Sequence, residues 1–175
     1  MQEQAVLKYN GVARTLHWII ALAIITEIVL GLGNDAFRDS FPAMPIHKAI
    51  GITILALSLF RLYWRISHPA PPLPAAMPRW QVGLAHGLHW LFYAMIIAVP
   101  MSGWIMSSAG PYPLQWLGLF DIPKWPVMKD SPLAEAAHAG HEVMGKLFIP
   151  LILLHVGAAL YHQFVVRDGV LRRML

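Results

Sequence analysis

Apolar residues crowd into four stretches of this chain, roughly 13–33, 46–66, 80–107 and 138–166, with polar, proline-rich sequence between them. Each is long enough for an α-helix to cross a bilayer, which takes about 20 residues. The pattern therefore predicts an all-α integral membrane protein, a four-transmembrane-helix bundle forming a single domain over 1–175. The first stretch has no small-residue cleavage site after it and reads as a retained span rather than a signal peptide. Pro100 and Pro150 fall inside the third and fourth stretches, where a membrane bundle tolerates them. Pro150 threatens to turn one half of its helix against the other. The connection 67–79 holds too many prolines to be helical throughout. The connection 108–137 is the longest, and its prolines with Trp116 and Trp125 suit a structured cap at the membrane interface.

Composition agrees. The chain is 57% hydrophobic and 13% charged, about half the charge of an ordinary soluble domain. It has no cysteine, which excludes disulfides, thiolate-bound iron–sulfur clusters and covalent c-type haem. The net charge of +4 does not point to nucleic acid, because the basic residues sit at segment ends. Four spans put both termini on one side, with Lys8, Arg14, Arg61, Arg65, Arg79, Arg167, Arg172 and Arg173. The other side holds Arg38, Lys48, Lys124 and Lys129, diluted by Asp35, Asp39, Asp121, Asp130 and Glu135. The positive-inside bias places both termini in the cytoplasm of a cell membrane.

Histidines carry the candidate chemistry. His141 and His155 lie fourteen residues apart on the fourth span. Fourteen steps of a helix turn about 1400°, some 40° short of four full turns, so both rings leave one face about 21 Å apart. One helix thus offers a metal ligand near each side of the membrane. His47 opens the second span at the outer end, and His17 lies one turn into the first at the inner end. Depth pairs His47 with His141 and His17 with His155, the arrangement that holds two low-spin bis-histidine haems. His162 rivals His155, because it lies near the same face at a depth matching His17, and spacing does not separate them. His138 fits the shared face less well. His86 and His89 start the third span, where they would line a quinone site or meet a haem propionate, or simply pack at the interface. His68 lies in the proline-rich loop and reads as solvated.

Charged residues inside or beside spans are functional candidates by default. Glu27 lies in the outer half of the first span, suiting a proton relay or a polar bundle interior. Lys48 and Lys146 flank the outer histidines and would pair with propionates, although Lys146 can also snorkel. Arg14, Arg61, Arg65 and Arg79 set topology and offer partners to an inner haem. Met95, Met101 and Met106 read as packing.

The ordered set L-H-W (16–18), H-K-x-x-G (47–51), R-L-x-x-R (61–65), G-L-A-H (83–86), H-E (141–142) and H-V-G-A-A-L-Y-H (155–162) resembles the bacterial dihaem cytochrome b561 family. So does the ending R-D-G-V-L-R-R-M (167–174), close to the family's K-D-x-T-L-x-R-M. The likeness spans nearly the whole chain. It implies His155 rather than His162 as the inner ligand, two b haems, and electron transfer between a periplasmic-side donor and ubiquinone or another membrane quinone. Superoxide oxidation is one activity proposed within the family, which would make the chain a superoxide:quinone oxidoreductase. Other relatives are cytochrome b anchor subunits of hydrogenases and dehydrogenases, the alternative function here. A histidine-lined transition-metal transporter is a third, less economical reading, because transport does not require ligands at two matched depths.

Overall fold

Four long helices account for the four apolar stretches in a computed structural model that describes residues 7–37 and 39–175. They are α1 (Gly11–Leu32), α3 (Ala43–Ser67), α4 (Arg79–Ser108) and α5 (Pro132–Tyr161). A single turn, α2 (Asn34–Phe37), follows α1. A two-stranded hairpin, β1 (Gln115–Trp116) and β2 (Phe120–Asp121), interrupts the long connection. A π-turn over His162–Val166 extends α5, and a 3₁₀ turn over Leu171–Met174 closes the chain. Arg38, counted among the outer charges, lies outside the described residues.

All four long helices are long and apolar enough to cross a membrane, and at most 28% of any one's apolar window is buried. Side chains such as Leu22, Ile25, Val29, Leu153 and Leu154 point outward, which is the surface lipid solvates. Helices consecutive in sequence pack together: α1 on α3, α3 on α4, α4 on α5. Small residues help, since Ala49 and Ser58 of α3 are fully enclosed and let backbones approach closely. Packing of α5 against α1 and α3 is much looser. Met95, Ile96 and Phe148 form the buried centre at mid-depth, packed around by Ile24, Phe92, Met144 and Leu151.

Local chemistry sets the helix ends. The Asn10 side chain accepts from the Ala13 amide and starts α1. Ser131 does the same for Ala134 at the start of α5, with Pro132 in the first turn. This cap starts α5 six residues before the apolar stretch that announced it. The α5 helix then runs through Pro150 unbroken to Tyr161. Beyond the π-turn, Arg167 takes a left-handed conformation (φ 59°) that ends the helix.

The two faces of the bundle differ. At the terminal face, the tail is stitched down. Trp18 Nε1 donates to the Met174 carbonyl at 2.9 Å and Arg14 to that of Leu175. Arg173, only 5% exposed, donates to the carbonyls of Pro71 and Pro72. At the cap face, a three-residue turn with φ of 50° at Leu117 and 73° at Gly118 closes the hairpin, and glycine takes its left-handed position at no steric cost. Trp116 stacks on Phe120 and donates from Nε1 to Thr53 Oγ1 at 2.9 Å, pinning the hairpin to α3.

Candidate functional site

Two pairs of histidine rings face each other across the loosely packed sides of α5. Near the cap face, His47 of α3 meets His141 of α5 with ring centres 6.0 Å apart and planes at 86°. Near the terminal face, His17 of α1 meets His155 of α5 at 6.3 Å and 69°. Despite Pro150 between them, both α5 rings point to partners. His162 goes elsewhere: its Nδ1 lies 2.6 Å from Asp168 Oδ2, in the turn after the helix.

The spacing can be tested against a bound iron. Two iron–imidazole bonds of about 2.0 Å, with roughly 1.1 Å from each nitrogen to its ring centre, put the centres about 6.2 Å apart. Both pairs match. At the cap face, Nδ1 of each ring has a polar neighbour. His141 Nδ1 donates to the Val99 carbonyl at 2.9 Å, which also accepts from Ser102 Oγ at 2.7 Å. His47 Nδ1 lies 2.8 Å from Glu27 Oε2, a close contact rather than a linear hydrogen bond. A carbonyl or carboxylate on the far nitrogen is the usual support of a metal-bound imidazole and fixes Nε2 toward the metal.

Space is provided as well. A cavity of about 630 Å³ opens around His47 and His141, lined also by Glu27, Gly51, Gly103, Gly145 and Phe148. That is within the range of about 300–1,000 Å³ for cofactor-sized clefts. Glycines make it. A Cβ on Gly103 would lie 3.0 Å from His141 Cε1, and one on Gly31 would lie 3.4 Å from His47 Cε1. Gly51 and Gly145 each follow a histidine by one turn and line the same cavity. Around Gly145, nothing lies within 4 Å of where a Cβ would stand. At the cap face the residues present therefore fit a flat, iron-centred macrocycle held between imidazoles.

The other sequence candidates take varied positions. Lys48 lines the cap-face cavity, as does Lys146, which pairs with Glu142 at 2.6 Å on an exposed surface. Arg61 donates to the Ala13 carbonyl at 2.8 Å, and its other terminal nitrogen lies 3.5 Å from His17 Nδ1. With Arg65, Lys8 and Tyr93 it lines a separate pocket of about 210 Å³ at the terminal face. Arg14 donates from one terminal nitrogen to the Leu175 carbonyl. His86 is exposed, whereas His89 has its ring centre 5.6 Å from that of His155. His138 lines the cap-face cavity, outside the ring pair. His68 stacks on Trp64 at 3.8 Å and receives a contact from Ser67. Met95 is buried packing and Met106 lines the cavity. No group of three or more histidines, aspartates or glutamates poised for a metal occurs among the described residues. At the terminal face His155 has two imidazoles near it, His17 at 6.3 Å and His89 at 5.6 Å between ring centres.

A family model described as prokaryotic cytochrome b561 matches residues 8–175. The chain belongs to the prokaryotic cytochrome b561 family. It is 30% identical over 174 residues to cytochrome b561 homolog 2 of Escherichia coli K12, covering 96% of this chain and 91% of that one. It is 32% identical over 171 residues to the probable superoxide oxidase CybB of Yersinia pestis, with 96% of each covered. Cytochrome b562 of Cereibacter sphaeroides is 27% identical over 176 residues, covering 95% and 94%. Membership makes this a multi-pass bacterial membrane protein that carries electrons by means of b haem.

Sequence reading missed the supports of the histidines: Glu27 against His47, Val99 against His141, and the glycines around them. One signal was available. H-x-x-x-G occurs twice, at 47–51 and 141–145, and both of its glycines line the cavity around the two rings.

Proposed function

We propose that this cytochrome b561 moves single electrons across the membrane between two b haems, one held by His47 and His141 and the other by His17 and His155. The observation that carries it is the pair of facing imidazoles at each of two depths, 6.0 and 6.3 Å between ring centres. The haem supplies a one-electron couple, and saturation by two imidazoles favours electron transfer over oxygen chemistry. The protein does the rest. At the cap face, Nδ1 contacts orient His47 and His141 and Gly31 and Gly103 leave those rings room, and the Met95–Ile96–Phe148 cluster packs mid-depth between the two levels. Lys48 and Lys146 at the cap face, with Arg61, Arg65, Arg14 and His86 at the terminal face, are the proposed polar partners of the cofactors. Both termini face the cytoplasm, so the donor arrives from the periplasm at the cap face. A membrane quinone is the acceptor. Superoxide is the donor suggested by the CybB relative. A role as anchor subunit for a partner dehydrogenase or hydrogenase is the second reading, and co-purification of a larger redox protein would favour it.

The test is haem per chain by pyridine haemochrome. Wild type should carry two. His47→Ala or His141→Ala should each remove one, and His17→Ala or His155→Ala the other. His162→Ala should keep both. Two haems in all four ligand variants would sink the assignment.

A further inference from the structure

We infer that Glu27 is a positioning residue for His47 and biases the cap-face centre toward its oxidised state. The inference rests on the haem assignment above and adds a role for a carboxylate within the membrane-spanning part of α1. Three observations carry it. Glu27 Oε2 is 2.8 Å from His47 Nδ1, and the two side chains are 13% and 18% exposed. The second oxygen, Oε1, is buried without a hydrogen-bond partner among the described residues, so Glu27 is not held by a competing donor there. Gly51, one turn along α3 from His47, places the carboxylate against α3: a Cβ at that position would make ordinary contact with Oε2, at 3.7 Å.

A buried carboxylate is costly in a membrane unless something compensates it. Here the compensation is an imidazole whose Nδ1–H becomes more acidic, and more positive, when Nε2 binds ferric iron. The interaction is therefore stronger with the oxidised centre than with the reduced one, and it lowers the reduction potential. The other rings are supported differently. His141 donates to the neutral Val99 carbonyl, and His17 faces the Arg61 guanidinium at 3.5 Å, a group that stays charged at any working pH. Lys48 lines the same cavity as Glu27, but it projects about 100° around α3 from His47 and so does not replace the carboxylate at Nδ1. An electron delivered at the cap face would thus enter a centre from which onward transfer is favoured.

The experiment is a redox titration of the purified, full-length protein, with the cap-face wave identified by its loss in His47→Ala. Wild type is assayed first for haem: fewer than two per chain would overturn the functional assignment itself. With two present, Glu27→Gln should raise the cap-face wave by at least tenfold in the reduction equilibrium, about 59 mV for one electron. The other wave should stay in place, and Glu27→Asp should recover much of the wild-type value. If Glu27→Gln sheds cap-face haem while Glu27→Asp keeps it, the positioning role also stands. An unmoved cap-face wave, equal shifts in both waves, or loss of both haems in Gln and Asp variants alike would overturn it.

Discussion

At Gly103 a hydrogen atom in place of a side chain decides whether His141 can face inward. An added Cβ there would sit 3.0 Å from His141 Cε1 and 3.1 Å from its Nδ1, closer than a methyl and a ring can approach without one moving. The ring is tethered to Val99 on the same helix as Gly103, so a retreat of a few tenths of an ångström stretches that bond. Gly103→Ala should therefore cost about 1–3 kcal/mol of overpacking and loosen or lose the cap-face haem. Gly11→Ala, where nothing lies within 4 Å, should leave haem content alone; pyridine haemochrome and thermal melting in detergent read both. The four histidines were legible because helical periodicity converts spacing into face and depth. Choosing His155 over His162 was not, because the two share a face and differ by two turns. What separates them is Asp168, which occupies the His162 ring and belongs to a turn that periodicity does not describe. Glu27 was visible as an intramembrane carboxylate, but its partner lies on another helix, and no spacing within α1 points to it.

Among the elements, the long helices were the legible part and the cap the least. Apolar run length locates a span to within a few residues, yet α5 begins at Pro132, in polar sequence whose Ser-Pro pair is a capping signal rather than a hydropathy signal. The connection 108–137 reads in sequence as a structured, proline- and tryptophan-rich cap, but its hairpin depends on contacts that local sequence does not announce. Trp116 reaches Thr53, Trp104 packs edge-on against Trp125 at 5.3 Å and donates to the Pro123 carbonyl, and Lys124 donates to the Gly110 carbonyl. Thr53→Val keeps the shape of the α3 side chain and removes the acceptor for the Trp116 indole. The loss should be about 1 kcal/mol, felt locally. Hydrogen exchange should quicken over 114–122 while the centres of α4 and α5 remain protected. Uniform change across the molecule would mean that the hairpin is not held through this bond. In the bundle centre, Phe148 stands seven residues from each α5 histidine and 5.9 Å from Phe92. Association in lipid leans on packing of this kind. Phe148→Ala should cost on the order of 3 kcal/mol and lower the melting temperature of the haem-loaded protein.

For the whole molecule, the faces of the bundle carry unequal charge, and that inequality sets how it sits in the membrane. Lys8, Arg14, Arg61, Arg65, Arg79, Arg167, Arg172 and Arg173 all belong to helix ends or segments at the terminal face. The described cap-face cations Lys48, Lys124, Lys129 and Lys146 share their surface with Asp35, Asp39, Asp121, Asp130, Glu135 and Glu142. Basic residues near span ends are retained on the cytoplasmic side, whereas acidic ones contribute little, so the terminal face should lie inside. The same placement makes the Glu27 end the side that meets a periplasmic donor. Because the chain has no cysteine, a single introduced thiol reports sidedness without background. Tyr112 is 75% exposed on the cap connection, and Ala76 is exposed in the proline-rich loop at the opposite face. A membrane-impermeant maleimide added to intact spheroplasts should label Tyr112→Cys and spare Ala76→Cys, and breaking the membrane should expose both. Labelling of Ala76→Cys alone in intact cells would invert the molecule. The His17–His155 pair would then face the donor, and electrons from outside would reach the arginine-flanked imidazole first.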